Sequence, residues 1–86
     1  MKYTIKYQFN GRDYENIYVP TVDFLSNTIS DIAYDALMNS LEYNNLVIKD
    51  NCIRNIELFK EDVPTPIYTA VTYTEGMGFL LEAEDE

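Results

Sequence analysis

Carboxylates at helical spacing are the side chains of this chain whose chemistry is easiest to infer. Asp31 and Asp35 are four residues apart, and Glu42 follows seven residues later. On a helix this spacing places all three on one side, with Asp31 and Asp35 about 6 Å apart along the axis. A row of carboxylates attracts basic surfaces and repels nucleic acid and anionic membranes. The row therefore predicts electrostatic binding of a basic partner.

The excess acid of the chain is concentrated in two segments. The 86 residues carry a formal net charge of −9, and residues 21–45 contain four acidic residues and no basic one. Residues 61–86 contain seven acidic residues and no basic one. The closing hairpin and tail thus contribute further carboxylates to the predicted binding set. The predicted partner-binding residues are Asp31, Asp35, Glu42, Glu75, Glu82 and Glu84.

The sequence lacks the residues that most catalytic and cofactor-binding sites use. The chain has no histidine, which is the commonest general base and metal ligand, and its lone cysteine is Cys52. No phosphate-binding loop, dinucleotide fingerprint or nucleophile elbow is present. The run that begins at Asp50-Asn51 does not match the ligand spacing of an EF-hand loop. We therefore expect neither an enzyme nor a cofactor or metal protein.

The sequence favours a cytoplasmic protein, which would mean the host cytoplasm if the chain is viral. Its N-terminus is polar and lacks the apolar region of a secretory signal. No apolar run approaches the roughly 18 residues that a membrane span needs. We expect no membrane association and, because of the negative charge, no direct binding of nucleic acid.

A β-hairpin is predicted at the start of the chain. Aromatic and apolar residues alternate with polar ones along Tyr3–Phe9, which is typical of a strand with one buried face. Asn10-Gly11 tolerates positive φ at both positions and is a strong signal for a two-residue turn. The chain is expected to return as a strand over Tyr14–Val19 and to stop at Pro20, which lacks a ladder donor.

One amphipathic helix is predicted next. Its apolar residues recur at intervals of three and four, at Leu25, Ile29, Ile32, Ala33, Ala36, Leu37 and Leu41. Thr21 or Ser26 is expected to cap its start, with Asp23 near the positive end of the helix dipole. Asn44-Asn45 is the expected stop.

Short extended segments are predicted after the helix. They are Leu46–Ile48 and Ile53–Phe59, joined by a turn at Asp50-Asn51, then Ile67–Thr74 and Phe79–Ala83, joined by a turn at Gly76-Met77-Gly78. A stiff loop is expected at Pro64-Thr65-Pro66, and a frayed acidic tail over residues 84–86.

This order of elements predicts one small α+β domain over residues 1–86. An N-terminal hairpin, one amphipathic helix and three or four further strands form a two-layer sandwich when the helix lies across the sheet. The sheet is antiparallel or mixed, and the order is either β-grasp-like or another ββαβββ order.

Two functional hypotheses follow. The first is a small acidic binding protein that mimics nucleic acid, occupying the basic surface of a nucleic-acid-binding partner and so inhibiting or regulating it. Small acidic proteins of phages and mobile elements that inhibit host defence, including anti-restriction and anti-CRISPR proteins, provide an analogy in size and charge alone.

The second hypothesis is a structural or oligomerising interaction module. Eight tyrosines suit strands and interfaces, and an exposed sheet edge can pair with another subunit or with a second copy as a homodimer. A solvated helix face with a solubilising tail is the simplest explanation of the same acids.

Overall fold

The computed structural model describes residues 2–20, 28–48 and 52–81, in which one five-stranded sheet is packed against one helix. The elements are β1 (Tyr3–Phe9), β2 (Arg12–Tyr18), α1 (Ile29–Tyr43), β3 (Ile53–Lys60), β4 (Tyr68–Thr74) and β5 (Gly78–Leu80). The strand order is β2-β1-β3-β4-β5, and every pair is antiparallel. The predicted α+β class is confirmed, with an antiparallel sheet in a ββαβββ order.

The N-terminal hairpin forms as predicted. Asn10 and Gly11 adopt φ values of 53° and 82°, which the two-residue turn requires. The register runs from Phe9 opposite Arg12 to Tyr3 opposite Tyr18, so β2 begins two residues earlier than the predicted Tyr14. The tight turn allows the strands to pair from its first flanking residues.

The helix begins at Ile29 and is capped by Thr28, so the predicted cap at Thr21 or Ser26 is wrong. Thr28 Oγ1 accepts the Asp31 N–H at 3.3 Å, while Asp31 Oδ2 accepts the Thr28 N–H at 3.3 Å. Each side chain satisfies a backbone donor that the first helical turn leaves free, as in a capping box. The predicted Leu25 and Asp23 lie outside the described residues.

The helix ends at the predicted Asn44-Asn45 pair. Asn45 adopts φ 58°, its N–H donates to Glu42 O, and the Leu46 N–H donates to Leu41 O at 2.8 Å. These two bonds form a Schellman motif. The predicted extended segment Leu46–Ile48 is therefore wrong, because Leu46 completes the helix cap instead of a strand ladder.

A bulge in β3 explains the imperfect alternation of that segment. The pairing of β3 with β1 shifts between Lys6 and Gln8, opposite Asn55, which has φ 54°. One extra residue on β3 lets both Ile53 and Ile56 be fully buried although they are three residues apart.

The closing strands are close to their predicted positions. The loop after β3 contains the predicted Pro64-Thr65-Pro66, and β4 begins one residue later than expected. The last turn covers residues 75–77, so Gly78 belongs to β5 rather than to the turn. β5 ends at Leu80 instead of Ala83; the expected Asp50-Asn51 turn and the 84–86 tail lie outside the described residues.

The core lies between α1 and the sheet. Buried side chains come from β1, β3, β4 and the inner stripe of α1, and fully buried members include Ile5, Leu37 and Leu58. A polar network crosses this interface: the Tyr7 hydroxyl is 2.7 Å from Ser40 Oγ, and Ser40 donates to Asn16 Oδ1. Asn44 Nδ2 also donates to Asn16 Oδ1 at 3.0 Å. The network fixes the C-terminal half of α1 against β1 and β2.

Candidate functional site

The solvent side of α1 carries the three predicted helix acids. At 3.6 residues per turn, Asp31, Asp35 and Glu42 lie within about 40° of one another around the helix. The buried residues of α1, including Ala33, Ala36 and Ser40, occupy the opposite side. The three acids, hereafter the α1 acidic face, extend over about 16 Å along the axis.

Asp31 has a second, structural role. Its carboxylate accepts the Thr28 backbone N–H in the capping box, and it lies in the first turn, where negative charge complements the helix dipole. Part of its value to the molecule is therefore the start of α1. A charge reversal at Asp31 alters the fold and the surface at the same time.

Asp35 lies on the β2 side of the α1 acidic face. It is partly buried and close to Tyr18 on β2. Burial raises the pKa of the Tyr18 hydroxyl, and the negative charge of Asp35 raises it further. Asp35 is also four residues from Asp31, so the two like charges disfavour the helix slightly.

Glu42 lies in the last turn of α1, where a negative charge opposes the helix dipole. It is exposed, and that turn contains no basic residue. Glu42 thus has no stabilising contact with the helix dipole to account for its charge.

Glu75 lies in the β4–β5 turn, two residues after Tyr73. The Tyr73 ring is 6.0 Å from the Tyr34 ring of α1, measured between centroids. The pKa of Tyr73 is raised first by burial, then by Tyr34, and then by the charge of Glu75. The charge of Glu75 therefore acts on Tyr73, whose contact with Tyr34 flanks the α1 acidic face on its β4 side. Glu82 and Glu84 lie outside the described residues.

The described basic residues lie outside α1. No lysine or arginine occurs between residues 28 and 48. The described bases, Lys2, Lys6, Arg12, Arg54 and Lys60, belong to the sheet or precede it. Lys6 lies on the sheet face away from α1. Its Nζ is 4.0 Å from Glu15 Oε1 and lies over the Phe59 ring. The helix layer is thus acidic, whereas the sheet carries both signs.

Sequence reasoning missed a groove between β2 and α1. β2 is an edge strand, and the groove beside it is lined by Asn16, Tyr18 and Val19 from the β2 side and by Asn39 and Tyr43 from α1. Tyr43 is 78% exposed and Val19 is 51% exposed. Alternation along β2 predicts a strand, but its edge position depends on long-range pairing that local patterns do not contain.

Within residues 2–20, 28–48 and 52–81, no three histidine, cysteine or acidic side chains are grouped to hold a metal ion. Over the same ranges, no helix has the length and apolar character to cross a membrane.

Comparison with known proteins gives no relative. No family model matches the chain, and neither a curated protein nor a solved structure shows significant similarity to it. The charges and contacts described above are therefore the basis for inferring a function.

Proposed function

We propose that this protein binds a basic, nucleic-acid-binding surface of a partner protein through the α1 acidic face. The observation that supports this most strongly is the charge layout of α1: three carboxylates share one solvent-facing stripe, and no base occurs between residues 28 and 48. Such a one-signed stripe steers a basic surface toward it and fixes its orientation. The partner is inhibited because the stripe occupies the surface that nucleic acid would use.

The energetics of α1 support a binding role over a stabilising one. Glu42 opposes the helix dipole, and Asp31 with Asp35 is a like-charge pair at helical spacing. Each feature costs a few tenths of a kcal/mol of helix stability. Interspersed lysines would remove these costs, yet α1 has none.

The charge spacing of α1 limits how many DNA phosphates its acids can replace. Three carboxylates over about 16 Å give one charge per roughly 5–8 Å, whereas duplex DNA carries one per about 1.7 Å of axis. The α1 acidic face therefore replaces only a few phosphates, and Glu75 at its β4 flank extends it. Tyr34 and Tyr43, 44% and 78% exposed, supply uncharged contact area beside the acids.

A DNA-displacement capture experiment tests this proposal. The immobilised protein is incubated with the proteins of a cell lysate that a heparin column retains, and bound proteins are eluted with short duplex DNA. We expect retained proteins that duplex DNA releases, because both ligands occupy one basic surface. Loss of retention at high salt would agree with an electrostatic contact.

Two variants with equal charge changes locate the binding surface. Asp35→Asn with Glu42→Gln removes two of the three negative charges of α1 without touching the capping box, and Glu15→Gln with Glu57→Gln removes two negative charges from the opposite sheet face. We expect the helix variant to lose DNA-displaceable proteins and the sheet variant to keep them. Equal retention by both variants would contradict a role for the α1 acidic face.

The protein would inhibit a partner whose DNA-binding surface it occupies. Where the occupied surface is the DNA channel of a defence nuclease, the protein would act as an anti-restriction or anti-CRISPR inhibitor. Identification of the captured proteins by mass spectrometry decides whether such a nuclease is among them.

A further inference from the structure

The outer edge of β2 has backbone groups at alternate residues that pair with no other described residue. β2 pairs only with β1 in the five-stranded sheet of the described residues. A two-residue turn is closed by a hydrogen-bonded pair, here Phe9 and Arg12, and antiparallel pairs then alternate between bonded and non-bonded. The N–H and C=O groups of Asp13, Glu15 and Ile17 therefore point away from β1.

This edge is long, exposed and charged. β2 has seven residues, and Asp13, Glu15 and Ile17 are exposed, Ile17 to 68%. Edge strands are normally blunted by charged side chains, lysine above all, by proline or by a bulge. β2 has the charged residues Arg12, Asp13 and Glu15 but no lysine or proline, and its register with β1 is unbroken.

The edge borders two surfaces of different character. Asp13 and Glu15 lie opposite Gln8 and Lys6, so their side chains are on the sheet face away from α1. On the other side is the groove between β2 and α1, with a volume of about 440 Å³. A strand added at this edge would direct alternate side chains onto the acidic side and into the groove.

We propose that the free edge of β2 binds an extended, basic segment of a partner protein as a sixth strand. Backbone pairing with Asp13, Glu15 and Ile17 supplies the main-chain bonds, as in β-augmentation. Lysine or arginine at alternate positions of the segment meets Asp13 and Glu15, and the intervening side chains enter the groove. The main-chain bonds of this interaction are made by β2 and not by α1, so it does not depend on the proposed function, although Tyr43 of the groove also borders the α1 acidic face.

Charge complementarity favours a basic segment over a second copy of this chain. Two copies paired through β2 would bring Asp13 and Glu15 of both chains to one edge, and each chain carries a net charge of −9. Neighbouring like charges across paired strands destabilise the pairing. A basic segment reverses the sign of that interaction. Lys6 lies near Glu15 and reduces the negative charge there. Asp13 is hydrogen-bonded only to the neutral Gln8 among the described contacts, so its charge is not compensated.

The test uses a synthetic peptide of alternating lysine and valine with the seven-residue length of β2. Binding to the full chain is followed by amide NMR and hydrogen exchange. We expect slowed exchange at the amides of Asp13, Glu15 and Ile17, because their N–H groups become bonded. A glutamate–valine peptide and a lysine–valine peptide N-methylated at alternate residues are the matched control ligands, and neither should bind.

Two protein variants separate backbone pairing from charge. Ile17→Pro removes one outward N–H without removing a bond to β1, whereas Ile17→Thr keeps the N–H and the β-branched shape. We expect Ile17→Pro to weaken peptide binding at least about fivefold and Ile17→Thr to weaken it much less. Asp13→Asn with Glu15→Gln should weaken binding about threefold or more at low salt.

Each remaining outcome contradicts the proposal. These outcomes are equal binding of the glutamate–valine peptide, binding of the N-methylated peptide, shifts confined to the α1 acidic face, and no binding. Concentration-dependent protection of the same amides without peptide would show that a second copy occupies the edge. The N-methylated ligand keeps the test decisive if Ile17→Pro fails to fold. None of these results bears on DNA-displaceable capture by the α1 acidic face.

Discussion

Replacing two acids of the α1 acidic face by lysine should stabilise the protein. Asp35→Lys removes a like-charge pair with Asp31 and creates an attractive pair at the same helical spacing, a combined gain of about 0.4–1 kcal/mol. Glu42→Lys places a positive charge in the last turn of α1, which contains no basic residue, and adds about 0.3–1 kcal/mol. We expect the double variant to be more stable by about 1 kcal/mol.

Asp31→Lys should have the opposite effect. It removes the acceptor of the Thr28 N–H and places a positive charge at the positive end of the helix dipole. Loss of a capping contact costs about 1 kcal/mol, and the unfavourable charge adds to it. The three helix acids should thus separate into one that stabilises α1 and two that do not.

Urea and thermal unfolding of both variants measure these differences. For a chain of this size, 1 kcal/mol corresponds to a change in Tm of about 4–8 °C. The Glu15→Gln/Glu57→Gln variant, on the opposite sheet face, should stay within about 0.5 kcal/mol of the unmodified protein. Destabilisation by Asp35→Lys/Glu42→Lys would refute the reasoning, because those acids would then support the fold.

Two further predictions concern buried polar groups. Ser40→Ala should destabilise the protein by about 1–2 kcal/mol in urea unfolding, because it leaves the buried Tyr7 hydroxyl and Asn16 without their shared partner. The double change Tyr7→Phe with Ser40→Ala should cost less stability than the two single changes added together. Strict additivity of the two changes would contradict the network. The free energy of unfolding should also fall as pH rises above about 10, because burial raises the pKa of four tyrosines above the value in the unfolded chain. The stability that these tyrosines contribute is complete below that pH and is lost as the folded tyrosines ionise. Urea unfolding at a series of pH values from about 8 to 12 measures this fall, and a free energy of unfolding that does not change with pH would contradict the prediction. Those tyrosines are Tyr7, Tyr18, Tyr68 and Tyr73.

Local patterns were sufficient for the elements whose signals are local. Alternation along Tyr3–Phe9 and the Asn10-Gly11 turn predicted the hairpin because both act between sequence neighbours. The helical period also placed the α1 acids on one side. The start of α1 was mispredicted because Leu25 continues the apolar spacing, although Thr28 and Asp31 carry the spacing of a capping box.

Features that depend on tertiary contacts were not predictable in this way. The bulge at Asn55 is visible only when β3 is paired with β1, and the edge position of β2 only from the strand order. The contact of Tyr73 with Tyr34, which joins the two layers beside the α1 acidic face, is likewise visible only in the folded chain. Sequence patterns therefore grouped the three α1 acids on one helix face but did not predict the tyrosine contact that flanks it.

Competition with DNA for a captured partner tests the central claim most directly. Labelled duplex DNA is bound to that partner, and its displacement by increasing concentrations of this protein is followed by fluorescence anisotropy. We predict displacement by the unmodified protein and by Glu15→Gln/Glu57→Gln, with much weaker displacement by Asp35→Asn/Glu42→Gln. Equal displacement by both variants, or a complex in which DNA stays bound, would contradict occupation of the nucleic-acid surface by the α1 acidic face.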